Sequence, residues 1–420
     1  MKIMIISHTF ANMPFAQRWI DFAEKYKDID VYLESPEVYD YGAGKDLTYG
    51  RTFTLKGTAL EKDNCHIRLI DMKLFRFFGI GWKSKKLRQD IKEIKPDIIY
   101  HIGTHFQLSL VECIKAKKKY VKNAKVVCFS MRGAQHSLNN LVINNAGVKK
   151  VLKKAVLKNI LDYVKKNVDA VICHYPEAMK LFRSEGYSCP IYMSTQVGVR
   201  TDIFHFMKEG RKNVRNDLGI SNNFVFGTLS RFNPSKGIQT VIDALPKNPF
   251  CKLVIIGSGT EDEKELLLKY IDESGKKDQI IVTGYIDWDK LPAYLSALDC
   301  FVHMPKTTPT WVETFSLALC QAMAVGLPVI GNTSGSVPYQ LGRNDMIVEE
   351  GDINSLYKKM NYMMNDLSRS AKIGQEMRDW CVKCFSTDAL NAGIYEIFKD
   401  IYRNTYDINK IDMTIFTPQY

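Results

Sequence analysis

Short runs rich in β-branched residues alternate with helix-length segments through the whole chain, and this rhythm of βαβ units constrains the fold more than any other feature. A first series of runs covers 3–7, 30–33, 66–69, 97–100, 126–130 and 169–173. A second covers 224–229, 252–256, 279–283, 300–302, 328–331 and 346–348. Two such series within 420 residues, each long enough to bury its own core, predict an α/β protein of two doubly wound, parallel-sheet, Rossmann-like domains facing a central cleft. The expected division gives residues 1–204, joined by a C-terminal helix over 388–420, to the first domain and 205–387 to the second. The polar stretch 208–223 reads as their connection. Such sheets bind ligands at the carboxyl ends of their strands, so chemistry is expected just after them.

Composition narrows the class. Hydrophobic residues at 45% and charged residues at 25%, without low-complexity tracts, describe a folded soluble chain. No run approaches 18 apolar residues, and the apolar start at 3–6 is too short for a signal-peptide core, so the expected location is the cytoplasm. Ten cysteines scattered through apolar segments suit a reducing compartment. Cys381 and Cys384 form a CxxC with no second pair or nearby His, which reads as ordinary helical thiols rather than a zinc site.

Charge is lopsided. Residues 1–200 carry 34 Lys+Arg against 19 Asp+Glu, whereas 201–420 carry 24 against 27. An anionic partner is therefore expected on the first half. Apolar residues at helical spacing over 148–168 are interleaved with Lys149, Lys150, Lys153, Lys154, Lys158, Lys165 and Lys166, and 73–88 mixes aromatics with cations. This pattern is either a helix packing its apolar stripe on the sheet or an interfacial segment against anionic lipid. Without a helix-turn-helix, zinc-finger or RRM signature, lipid is favoured over nucleic acid, and no nucleic-acid partner is expected.

Four segments after predicted strands carry candidate chemistry. Ser230-Arg231-Phe232-Asn233-Pro234-Ser235-Lys236-Gly237 sets two cations around a turn that opens a helix, either a diphosphate grip or a surface turn. Gly257 and Gly259 follow the next strand, where they permit either a close ligand approach or a tight strand-to-helix turn. Glu313 precedes an apolar helix, as an amide cap or a partner for a ligand hydroxyl, and Gln321 lies eight positions on, about 12 Å along a helix, too far to share one small group. Arg132 follows the strand 126–130, stabilising a leaving phosphate, binding an acidic acceptor, or serving as a helix cap or interdomain salt bridge; His136 is open between function and structure.

Taken together, these segments resemble the retaining GT-B glycosyltransferases of family 4, glycosyltransferase group 1, over essentially the whole chain. Further similarity lies in Val282-Thr283-Gly284-Tyr285 and in Val197-Gly198-Val199-Arg200-Thr201-Asp202-Ile203-Phe204. The resemblance implies that Arg231 and Lys236 hold the donor diphosphate, Glu313 the sugar hydroxyls and Gln321 the ribose, with backbone near Ile286 contacting the base. Gly257, Gly259, Thr314, Phe315 and Ser316 complete the donor site. His8, Asn12 and His136 belong to the acceptor loops, and Arg132 to the catalytic group.

The chain departs from the family pattern at Gln321, where a second Glu is usual, and in the loop Ser7-His8-Thr9-Phe10-Ala11-Asn12, where Gly-Gly is usual. It departs again at Arg132, which replaces the common catalytic-loop His, and at Gln196, Val197 and Arg200 of the interdomain signature. The implied activity is metal-independent transfer of a sugar from a UDP- or GDP-sugar to a lipid-linked saccharide or glycolipid, without cofactor, at the inner membrane face. The alternatives are a non-catalytic membrane-associated scaffold, or a nucleotide-sugar hydrolase or epimerase. Asp28-Ile29-Asp30 and Asp287-Trp288-Asp289 match DxD by chance on this reading.

Overall fold

The structure, a computed structural model, describes residues 1–11, 13–36, 38–40, 52–54, 61–74, 80–131, 133, 138–142, 145 and 147–405. Asn12, Arg132, His136 and residues 75–79 of the basic aromatic segment lie outside them. The chain divides into two compact units, with the change at Val197/Gly198.

The first unit is built on β1 (Lys2–Ile6), β2 (Asp30–Pro36), β3 (Glu61–Lys62), β4 (Cys65–Ile70), β5 (Ile98–Gly103), β6 (Lys125–Ser130), β7 (Ala170–Cys173) and β8 (Ile191–Met193) in the order β8-β7-β6-β5-β1-β2-β4-β3. Every pairing is parallel except the short β3–β4 edge. Central strands of such a sheet are covered on both faces, which is why Ile3 through Ile6 are all buried and read as a continuous apolar run. Lys117 Nζ donates to Asp169 at 2.6 Å while the same carboxylate accepts the Val126 amide, fixing the register of a helix on β6 and β7. The final helix, Thr387–Arg403, begins with the second unit, but from Asn391 it belongs to the first. There Phe398 meets Tyr100 and Phe22 edge-on in the core.

The second unit contains β9 (Phe224–Leu229), β10 (Cys251–Ile256), β11 (Ile280–Gly284), β12 (Cys300–His303), β13 (Val329–Asn332) and β14 (Ile347–Val348), ordered β11-β10-β9-β12-β13-β14 and parallel throughout. The order reverses between β9 and β12, which puts the ends of those two strands at a topological switch point. The two doubly wound parallel sheets expected of a GT-B fold are present.

Two sequence readings need correction. Residues 208–223 are not a connector, because Lys208–Asp217 is a helix of the second unit: Arg211 and Arg215, one turn apart, both reach Asp299 while Val214 is buried. The helix after Glu313 begins only at Leu317, so one turn rather than two lies along the axis before Gln321, and the 12 Å ruler does not apply. Of the two CxxC thiols, Cys381 is buried and its Sγ donates to the Cys320 carbonyl at 3.3 Å.

Candidate functional site

At the switch point, β9 delivers the 230–237 loop and β12 delivers His303. Asn233 Oδ1 accepts the Ser235 amide and caps the short turn Pro234–Lys236, which Gly237 terminates at a φ of +68°. A Cβ at Gly237 would lie 1.7 Å from the Met304 carbonyl oxygen, so only glycine lets the two loops touch. The Lys306 amide, donating to the Ser235 carbonyl, ties them a second time.

The third segment is clamped from behind. The Glu313 carbonyl accepts the Ser336 amide, and Gly335, at a φ of +54°, approaches so closely that a Cβ would sit 2.0 Å from that oxygen. Ser316 caps the helix Leu317–Val325, and the buried Gln340 accepts the Ser316 amide while donating to its carbonyl. Capping thus belongs to Ser316, and the Glu313 side chain is directed elsewhere.

It meets Lys236. The ammonium lies 2.7 Å from Glu313 Oε2 across 77 residues of sequence and stands 4.4 Å from the centre of the Trp311 ring. His303 Nε2 is 3.7 Å from the same carboxylate oxygen. Glu313 is 6% exposed and His303 2%, so this ion pair is withdrawn from bulk water. Burial pushes the Glu313 carboxyl up; the neighbouring His303 and the Lys236 charge outweigh it and hold the group below the usual carboxylate range.

The other predicted residues fall into four groups. Arg231 is half-buried in the same loop as Lys236. Gly257, at a φ of +138°, is explained by the loop it packs against, since a Cβ there would lie 1.9 Å from the Ser230 carbonyl oxygen; Gly259 is crowded by Glu263 and Phe232. Phe315 lies on the core beside Phe385, Ile286 also packs on that core, Gln321 is buried in the helix, and Thr314 is half-buried. In the first unit His8 stands just past β1, close enough to His101 on β5 for their charges to interact, and burial lowers its pKa to about 4. Among the described residues no group of His, Cys, Asp and Glu is arranged to hold a metal ion. A cavity of about 750 Å³ beside β14 shares no residue with this cluster, and two of its charged groups are already engaged, Glu349 by Thr333 and Lys359 by the Asp345 carbonyl.

Sequence reasoning missed His303 and Gln340, and it gave no sign that the Trp311 ring lies beneath Lys236. The signal for His303 was present, since an imidazole closing an otherwise apolar strand sits where parallel sheets place chemistry. Nothing local distinguishes Gln340 from other helix glutamines.

The basic amphipathic segment forms the helix Gly147–Asn167, and its two halves differ. Leu157, Ile160 and Val164 are buried, whereas Val148, Val151 and Leu152 are 75%, 68% and 53% exposed among Lys149, Lys150 and Lys154. No helix among the described residues is long and apolar enough to cross a membrane.

Comparison with known proteins bears out the resemblance. Residues 210–380, within the second unit, match the family model of glycosyl transferases group 1. A GDP-mannose-dependent alpha-(1-6)-phosphatidylinositol monomannoside mannosyltransferase of Mycobacterium tuberculosis is 27% identical over 210 residues, 48% of this chain and 54% of the relative. Its counterpart in Mycolicibacterium smegmatis is 28% identical over 208 residues with the same coverage. The chain thus matches about half the length of these relatives. Among solved structures, Anabaena HepE in complex with UDP superposes with a TM-score of 0.70 at 20% identity, covering 95% of this chain and all of that one. Sucrose-phosphate synthase from Thermosynechococcus elongatus gives 0.68 at 16% identity, covering 96% and 99%. These two likenesses establish the fold.

Proposed function

We propose that the protein is a retaining glycosyltransferase that moves a sugar from a nucleotide-diphosphate donor, a UDP- or GDP-sugar, to a hydroxyl of a lipid-linked saccharide or glycolipid, without a metal. The observation that carries this reading is the partly buried Lys236–Glu313 pair at the switch point of the second sheet, inside the segment that matches the family. A cation for phosphate and a carboxylate for sugar hydroxyls, side by side, suit the two ends of a sugar-phosphate bond. Negative charge grows on the departing diphosphate as that bond breaks, and Lys236 with Arg231 supplies positive charge where it develops. The relatives named above are GDP-mannose-dependent phosphatidylinositol monomannoside mannosyltransferases, which supports a glycolipid acceptor.

The exposed first half of Gly147–Asn167 supports an anionic membrane surface as the place where such an acceptor is met: apolar side chains that are 53% to 75% exposed stand among lysines. Arg231→Ala and Lys236→Ala are each expected to lower turnover by about 10² to 10³ with the fold retained; activity equal to the parent overturns the assignment. Flotation with vesicles containing anionic lipid tests the surface: Val151→Asp with Leu152→Asp is expected to abolish binding at low salt, and unchanged flotation removes this helix from the account.

A further inference from the structure

Lys236 faces two demands. Its ammonium is bonded to Glu313 and stands on the Trp311 ring, and in the reading above it also grips the donor diphosphate. A diphosphate carries more negative charge than one carboxylate, so the long, rotatable lysine stem is drawn to phosphate and its contribution at Glu313 falls. That leaves a carboxylate which is almost wholly buried and whose ionised form is costly without a donor.

We propose that His303 is the positioning residue for Glu313: it keeps the carboxylate in place and oriented toward the sugar while Lys236 turns to the phosphates. Three observations converge on it. His303 Nε2 lies 3.7 Å from Glu313 Oε2, the same oxygen that Lys236 holds, so a small closure makes a hydrogen bond. That nitrogen is buried and makes no hydrogen bond among the described residues, which leaves it available to this one acceptor. The imidazole is also fixed, because it closes strand β12 and stacks on Phe301 at an interplanar angle of 22°.

The division of labour follows from side-chain length. Lys236 has a flexible four-carbon stem at the end of a turn and can change partners. His303 is a short ring on a sheet strand and cannot follow the phosphate. The inference rests on the donor reading and adds a specific claim: sugar engagement and diphosphate engagement are served by different residues, and His303 serves only the sugar.

The test compares the parent with His303→Leu and His303→Gln in calorimetric titrations with UDP, GDP and the corresponding hexose conjugates, together with kcat and KM for the donor that binds. For His303→Leu, affinity for the bare nucleotide is expected to stay within about twofold while affinity for the nucleotide sugar falls about tenfold, the weight of one hydrogen bond to a charged group. His303→Gln, which keeps an N–H donor, is expected to recover most of the loss. Equal losses for nucleotide and nucleotide sugar make His303 a structural residue and overturn the inference, as does no loss for either. Should His303→Leu not fold, His303→Asn, whose amide is one methylene further from the carboxylate than that of Gln, replaces it in the same comparison. A parent that binds none of these ligands overturns the donor reading itself, and this inference with it; a parent that prefers the sugar conjugate, matched by His303→Leu, overturns only the role of His303.

Discussion

Replacing Lys236 by Met keeps the length of the stem and removes its charge, which isolates what the ion pair contributes to the fold. At the observed 2.7 Å separation the bare attraction is about 6 kcal/mol at an effective dielectric of about 20. Desolvation of both ions offsets much of this in the parent, but removing one partner leaves the other stranded, which costs about 3 to 5 kcal/mol for buried pairs. The Lys236 side chain keeps 16% exposure, so the lower end, about 3 kcal/mol, is expected. For a unit of this size that is a fall of about 6 to 12 °C in Tm, read by differential scanning calorimetry.

The pH dependence supplies a sharper signature. In the parent the folded Glu313 carboxyl lies below its ordinary value, so the pair stabilises above the unfolded pKa and that stabilisation is lost as pH falls through the folded value. In Lys236→Met burial, the largest influence on this carboxyl, is opposed by His303 alone, the folded value moves up, and the neutral acid folds with little penalty. The gap between parent and variant is therefore expected to be wide at pH 7 and to narrow toward about pH 4. Lys236→Met combined with Glu313→Gln is expected to recover most of the lost stability, since no charge is left unpaired. A Tm for Lys236→Met within 1 °C of the parent at about pH 7, or a gap independent of pH, refutes the reasoning.

Two further outcomes follow from backbone contact and from burial. Gly237→Ala is expected to lower the urea midpoint by the equivalent of about 2 to 4 kcal/mol, because the added carbon meets the Met304 carbonyl at a positive φ; an unchanged midpoint means the loops part freely. In the first unit burial lowers the pKa of His101 and of His174 to about 3, so between that value and about 6.5 the unfolded chain binds more protons than the folded one. Stability is then lost as pH falls below about 6.5, by up to about 1.4 kcal/mol per pH unit for each imidazole, and denaturant midpoints that stay flat from pH 7 to 5 count against it.

Much of the architecture was legible because parallel strands buried on both faces announce themselves as apolar runs, as 3–7, 126–130 and 224–229 do. The weak edge strand Ile191–Met193 was missed for the complementary reason: with one neighbour it needs only three residues and has no flanking pattern. The stretch 208–223 misled because its charges look solvated, whereas Arg211 and Arg215 are consumed by Asp299 and by carbonyls that only the fold brings near. At the site, Lys236 and Glu313 were visible as residues in suggestive loops, but not as a bonded pair, since sequence carries no record of which loops end at the same point of a sheet. His303 and Gln340 act through partners 10 and 24 residues away, on other loops and turns of the same unit.

The contacts at Gly237 and Gly335 leave almost no room for substitution beside Lys236 and Glu313, because carbonyl oxygens already occupy the space a side chain would need. Neighbouring residues 307–310, by contrast, are exposed. Drift among descendants of this chain should therefore concentrate in that short stretch, with the surrounding framework left untouched.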